Sequence, residues 1–142
     1  MTISAILAAF QGEVITVGPE TIVSEVVALL AQHRIGAMPV VADGRVIGIV
    51  SERDVIYSLR DQGAATLDHP VARVMTAPAI TVGQDISVLA ALSQMTRKRI
   101  RHLPVVEGDR LIGIVSIGDL VKYRIERIEQ EAAAMRDYIQ SA

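Results

Sequence analysis

The sequence predicts an α/β (α+β) fold: two β-α-β-β-α half-domains related by a pseudo-two-fold axis, packed sheet to sheet, with a helix at each end. Three observations carry this expectation. Val14–Val55 lies over Ala79–Leu120 without a gap, at a constant offset of 65 residues. Each copy runs from a β-branched stretch into helical periodicity, then into two apolar runs about a glycine turn, then into a second helical pattern. The whole chain is 142 residues, one domain's worth, so two copies must share one fold.

Residues 1–13 place Ile3, Ile6, Leu7 and Phe10 at helical spacing and predict an N-terminal helix. The first half spans 14–60. VITV (14–17) reads as a strand, and Val23, Val26, Val27 and Leu30 form one face of a helix. AMPVVA and RVIGIVS read as a hairpin around Asp43-Gly44, a strong turn signal. A second helix starts at Glu52. Residues 61–78, with Gly63, His69 and Pro70, read as a linker with one short helical turn. The second half, 79–121, repeats the order: AITV (79–82), a helix carrying Val88, Leu92 and Met95, then HLPVVE and RLIGIVS around Gly108-Asp109, then a helix from Ile117. The strand–helix–strand portion should cross over right-handedly. Neither half covers both faces of its sheet alone, so the halves should pack together.

Residues 122–142 predict a C-terminal helix. Val121, Ile125, Ile128, Ala132, Met135 and Ile139 are spaced 4, 3, 4, 3, 4, a heptad a/d stripe, with charges such as Arg127 and Glu131 on the other faces. Such a helix either lies on its own domain or forms one strand of a dimer seam. Self-association, as a homodimer, is the expectation.

The duplicated element with the most chemistry is Gly-x-x-Ser-x-x-Asp: GIVSERD (48–54) and GIVSIGD (113–119). It falls where a strand ends and a helix begins. One meaning is a capping box, with Ser51 or Ser116 as N-cap and Asp54 or Asp119 answering from the first turn, worth about 1 kcal/mol. The other is a ligand site. Free N–H groups and a hydroxyl at a helix start bind anions, and an aspartate one turn in can accept hydrogen bonds from a ribose diol. The residues alone leave both open.

Taken together, the ordered and doubled motifs resemble the CBS (cystathionine-β-synthase) domain family in its tandem form, the Bateman module. The resemblance rests on ITV, RI-x-x-x-PVV, the glycine hairpin and GIVS-x-x-D, and it covers Val14 to Val121. It implies adenosine ligands (AMP, ADP, ATP, S-adenosylmethionine or NAD(H)) in two clefts between the halves. Carried over residue by residue, one cleft would use Ser116 and Asp119 for phosphate and ribose, with Thr16 and the backbone of Gly36, Ala37 and Met38 before Pro39 framing the adenine. The pseudo-symmetric cleft would use Ser51 and Asp54 with Thr81, Arg101, His102, Leu103 and Pro104. Arg53 would meet phosphate there or face solvent. Because the Gly36-Ala37 rim is small, the Ser116/Asp119 cleft is expected to be the better filled of the two.

Four cations, Arg97, Lys98, Arg99 and Arg101, lie within five residues. They read as a solvated helix end suited to the C-terminal dipole, or as phosphate contacts at the cleft mouth. His33, His69 and His102 lack metal-ligand spacing, so no metal is expected. With no cysteine there is no thiolate nucleophile. No nucleophile–base motif, Walker loop or GxGxxG is present, and 142 residues cannot hold the roughly 250-residue barrel of the IMP dehydrogenases that carry CBS pairs. A net charge of −2 and four aromatic residues argue against nucleic acid, and no apolar run reaches the roughly 18–20 residues of a membrane span. The N-terminus has no signal-peptide pattern. The expectation is a cytoplasmic, non-catalytic regulatory module that senses an adenine nucleotide, AMP foremost, and reports to an unknown regulated protein. The alternative is a constitutive dimeric scaffold with vestigial clefts.

Overall fold

The computed structural model describes residues 1–10 and 12–141; Gln11 and Ala142, within the two expected terminal helices, lie outside the described residues. In chain order the elements are α1 (Ile3–Ala9), α2 (Val23–His33), β1 (Ala37–Ala42), β2 (Arg45–Ser51), α3 (Glu52–Gln62), α4 (Val88–Lys98), β3 (His102–Glu107), β4 (Arg110–Ser116) and α5 (Ile117–Ser141). The hairpins β1–β2 and β3–β4 are antiparallel and carry the same irregularity, between Val40/Val41 and between Val105/Val106. They join edge to edge through the single pair Arg45–Arg110, giving the order β1-β2-β4-β3. Asp43 and Gly44 both take positive φ, 52° and 78°, as a two-residue hairpin turn demands.

The opening strand of each half shrinks to one bridge, Val17 beside Val40 and Val82 beside Val105, both parallel. Proline explains this. Val17 N–H donates to the Pro39 carbonyl and Val41 N–H to the Val17 carbonyl. The neighbouring rungs of a parallel ladder would need N–H groups on Pro39 and Pro19, which have none. In the second half Val82 sits the same way between the Pro104 carbonyl and the Val106 N–H. Pro104 cuts that ladder in turn.

Each half keeps its own core. Val23, Val26, Met38, Val40 and Val50 are buried in the first, and Val88, Met95, Leu103, Val105 and Leu120 in the second. The expected linker is no loose connection. It holds two 3-10 turns, Gly63–Asp68 and Val71–Arg73, and fully buries Thr66 and Val71 against the first core. Thr76 then pairs with Ile49 as an extra edge on β2. On the second half the corresponding plug is α1: Ile3 is fully buried and Leu7 packs on that core. The Met1 carbonyl accepts from Val88 N–H at the start of α4.

These plugs account for the repeated glycine. A Cβ on Gly48 would lie 2.7 Å from Met75 Sδ and 2.9 Å from the Thr76 carbonyl oxygen, and one on Gly113 would lie 2.5 Å from Leu7 Cδ2. Finally, the helix from Ile117 and the expected tail helix are one continuous 25-residue helix. Its stripe is exposed, so beyond its first turns α5 does not lie on its own domain.

Candidate functional site

The helix α3 starts at Ser51 because a complete capping box holds it there. Asp54 N–H donates to Ser51 Oγ (3.3 Å), and Asp54 Oδ2 accepts from Ser51 N–H (2.8 Å) and Ser51 Oγ (3.1 Å). The other carboxylate oxygen, Oδ1, accepts from Thr76 Oγ1 at 3.0 Å. At the second signature Ser116 N–H donates to Asp119 Oδ2 (2.9 Å) and Asp119 N–H to Ser116 Oγ (3.1 Å). The capping role is therefore real in both copies. It does not exclude a ligand, because Asp54 Oδ1 and the helix N-terminus remain at a surface.

That surface is the floor of a cavity of about 470 Å³ between the halves, within the range of small-molecule sites. From the first half come Ser51, Arg53 and Asp54 with Gly36 and Ala37; from the second come Arg101, His102 and Ile80. Ser116 and Asp119 do not line it. The sequence had paired the Gly36-Ala37 rim with Ser116/Asp119, and the structure pairs it with Ser51/Asp54. The reason is a hydrogen bond within each half: Glu52 N–H donates to the Gly36 carbonyl (3.0 Å), and Ile117 N–H to the Arg101 carbonyl (2.8 Å). Each strand start is thus tied to its own signature. The Arg101-His102 rim nevertheless reaches across to the first.

The remaining expected residues sit elsewhere. Met38, Pro39, Leu103 and Pro104 are buried in β1 and β3, and Thr16 and Thr81 are exposed without lining this cavity. Arg97 and Lys98 form the last turn of α4, while Arg99, one residue on, lines the cavity in a left-handed conformation (φ 55°). Arg34, its counterpart after α2, has φ 53°. Thr76, Tyr57 and Ile80 also line the cavity, and the sequence did not single them out. No motif marks Thr76, which lies in the supposed linker. Tyr57, one turn beyond Arg53 and 54% exposed, is betrayed only by being aromatic in a chain nearly without aromatics.

Both signs of charge line the cavity. Arg53, Arg99 and Arg101 line it together with the carboxylates Glu52 and Asp54, at the positive end of the α3 dipole. His102 stands against Gly36, with Cε1 3.2 Å from where a Cβ would be. Burial pushes its pKa below the ordinary 6.5, against the pull of Glu52 and Asp119 and with a smaller push from Arg101. A neutral ring is its resting form near pH 7. Among the described residues no cluster of three His, Asp or Glu side chains could hold a metal. No helix is long and apolar enough to cross a membrane.

The CBS domain pattern matches residues 8–61 and again 71–126. The chain belongs to the CBS-domain family. It carries the domain twice in tandem, as the 65-residue repeat foretold. Among curated relatives it is 37% identical over 123 residues to the mitochondrial CBS domain-containing protein CBSX3 of Arabidopsis thaliana, covering 83% of this chain and 60% of that one. It is 33% identical over 121 residues to the CBS domain-containing protein YhcV of Bacillus subtilis, covering 85% and 84%. Among solved structures, a CBS-domain containing protein of Agrobacterium tumefaciens superposes with a TM-score of 0.83 at 39% identity, over 87% of this chain and 99% of that one. A CBS domain protein of Pyrobaculum aerophilum complexed with AMP superposes with a TM-score of 0.75 at 28% identity, over 84% and 89%.

Proposed function

We propose that this CBS pair is a regulatory module that binds an adenine nucleotide in the Ser51/Asp54 cavity and signals its level, an energy-sensing role without catalysis. The observation that carries the reading is the cavity's composition. A helix N-terminus with a serine and an aspartate comes from one half, and two arginines and a histidine come from the other. Phosphate suits the arginines and the helix start, and a ribose diol suits Asp54 Oδ1 in exchange for Thr76. The AMP complex of the Pyrobaculum relative supports AMP as the ligand class; ADP, ATP and NAD(H) share the same adenosine. No metal is required by this chemistry. A ligand touching both halves favours one relative packing over others, and that population shift is the signal. The module works in the cytoplasm, consistent with a chain free of cysteine, as a homodimer that reports to a regulated protein.

The rival reading, a constitutive dimeric scaffold, draws on the capping boxes being complete without any ligand. A thermal-shift panel of AMP, ADP, ATP, NAD, NADH and S-adenosylmethionine separates the two. Ligand at about 100 times its Kd adds about 2.7 kcal/mol, a rise of roughly 5–10 °C for a domain of this size. A flat panel at millimolar concentration leaves the scaffold.

A further inference from the structure

Val121, Ile125, Ile128, Met135 and Ile139 are between 42% and 66% exposed on α5, although with Ala132 they form one unbroken a/d stripe. At about 100° per residue the stripe runs roughly a quarter turn away from Leu120, which is fully buried against the second half. A partner helix laid on the stripe therefore sits beside the domain and not on it.

The flanking charges choose the direction. With Ile125, Ala132 and Ile139 at a, and Val121, Ile128 and Met135 at d, the g positions are Arg124 and Glu131 and the e positions Glu129 and Arg136. In a parallel pair each g residue meets the e residue of the next heptad on the other strand. That sets Arg124 against Glu129 and Glu131 against Arg136, each twice by symmetry. Antiparallel overlap of the same stripe sets Glu129 against Glu129, Glu131 against Glu131 and Lys122 against Arg136, all like-charged. Isoleucine at two of three a positions also suits a two-stranded parallel pair. Among the described residues Arg124, Glu129 and Arg136 form no ion pair within the chain, and Glu131 meets only Arg127, at 3.6 Å.

We infer that α5 joins this chain to a second copy of itself as a parallel two-stranded coiled coil along the 121–139 stripe. The inference rests on the self-association in the functional reading above and not on its nucleotide site. Because α5 begins at the Ser116–Asp119 signature, any shift of the second half is carried directly into the seam.

The chain has no cysteine, so Ile139→Cys introduces a single reporter. In the parallel seam the two introduced thiols share one layer. In the antiparallel pair they lie 18 residues apart along the axis, about 27 Å. The wild type at tens of micromolar is expected to sediment as a dimer, and mild oxidation of Ile139→Cys to give a covalent dimer on a non-reducing gel. Reversing Glu129→Arg with Glu131→Arg turns every parallel flank into Arg against Arg and is expected to weaken the dimer at least tenfold. Adding Arg124→Glu and Arg136→Glu restores it. A monomeric wild type, a dimer that fails to cross-link, or a dimer indifferent to charge reversal overturns the inference. The outcomes keep the readings apart: a dimer that fails to cross-link sinks the seam alone, while a monomer that still binds nucleotide removes the homodimer and leaves the nucleotide site standing.

Discussion

Gly48 and Gly113 are sequence equivalents, yet alanine should not act alike at the two positions. A Cβ on Gly48 would meet the Thr76 carbonyl oxygen at 2.9 Å and Met75 Sδ at 2.7 Å. The carbonyl is backbone, held by Ile49 N–H at 3.0 Å, so relief requires the Thr76 edge to lift from β2. Overpacking of this kind costs about 1–3 kcal/mol, and the lost freedom of the unfolded chain returns about 0.4–1 kcal/mol. The net is a loss of about 1–2 kcal/mol, or roughly 3–7 °C in Tm for 142 residues. On Gly113 the clash is with Leu7 Cδ2 at 2.5 Å, the far end of a side chain on α1 that can rotate away. There the two terms should nearly cancel, leaving Tm within about 3 °C of wild type. Thr76 also donates to Asp54, so Gly48→Ala should reduce the Tm gain produced by nucleotide, and Gly113→Ala should not. Differential scanning fluorimetry with and without AMP reads both. Equal losses at the two glycines, or a larger loss at Gly113, would refute the assignment of Gly48 to a backbone contact.

Other expectations concern the cavity itself. Asp54→Ala removes half a capping box and the Thr76 bond, so it should cost about 1–2 kcal/mol in chemical denaturation and abolish nucleotide binding by calorimetry; intact binding would reduce Asp54 to a cap. Arg99→Gly relieves a left-handed arginine, which should stabilise the fold by about 1 kcal/mol while weakening phosphate-bearing ligands. A variant that is both less stable and unchanged in binding contradicts this. The lowered pKa of His102 has a definite sign. The unfolded chain takes up the proton first, so stability is full above about pH 6.5 and falls as pH drops from there toward the folded-state value. His102→Gln should flatten that fall in pH-dependent denaturation, and an unchanged slope would show that His102 is not its source.

Much of this was legible in the sequence, and the misses have identifiable causes. The hairpins, the helix starts and the duplicated Ser-x-x-Asp turn announce themselves because their signals are local: a turn dipeptide, a cap, an apolar period. VITV and AITV read as strands since β-branching is also local, but ladder length depends on prolines 19, 39 and 104, whose missing N–H groups matter only once the pairing is known. Thr76 and Leu7 were invisible as packing partners because nothing in their own neighbourhoods reveals which strand they cover. The Gly36-Ala37 rim was assigned to the wrong signature for a different reason. The β1–β2 hairpin sets Ala37 opposite Ser51, and Glu52 N–H to the Gly36 carbonyl extends that register, a consequence of the turn that the carried-over assignment did not follow through.

Amide chemical-shift mapping of the 15N-labelled chain during AMP titration shows directly whether adenine nucleotide sits at the Ser51/Asp54 signature. Saturable shifts are expected at Gly36–Ala37, Ser51–Asp54, Thr76 and Arg99–His102, with smaller changes around Ser116–Asp119. Shifts centred on Ser116–Asp119 while the Ser51 signature stays silent, or no shifts at millimolar AMP and ATP, would contradict that placement.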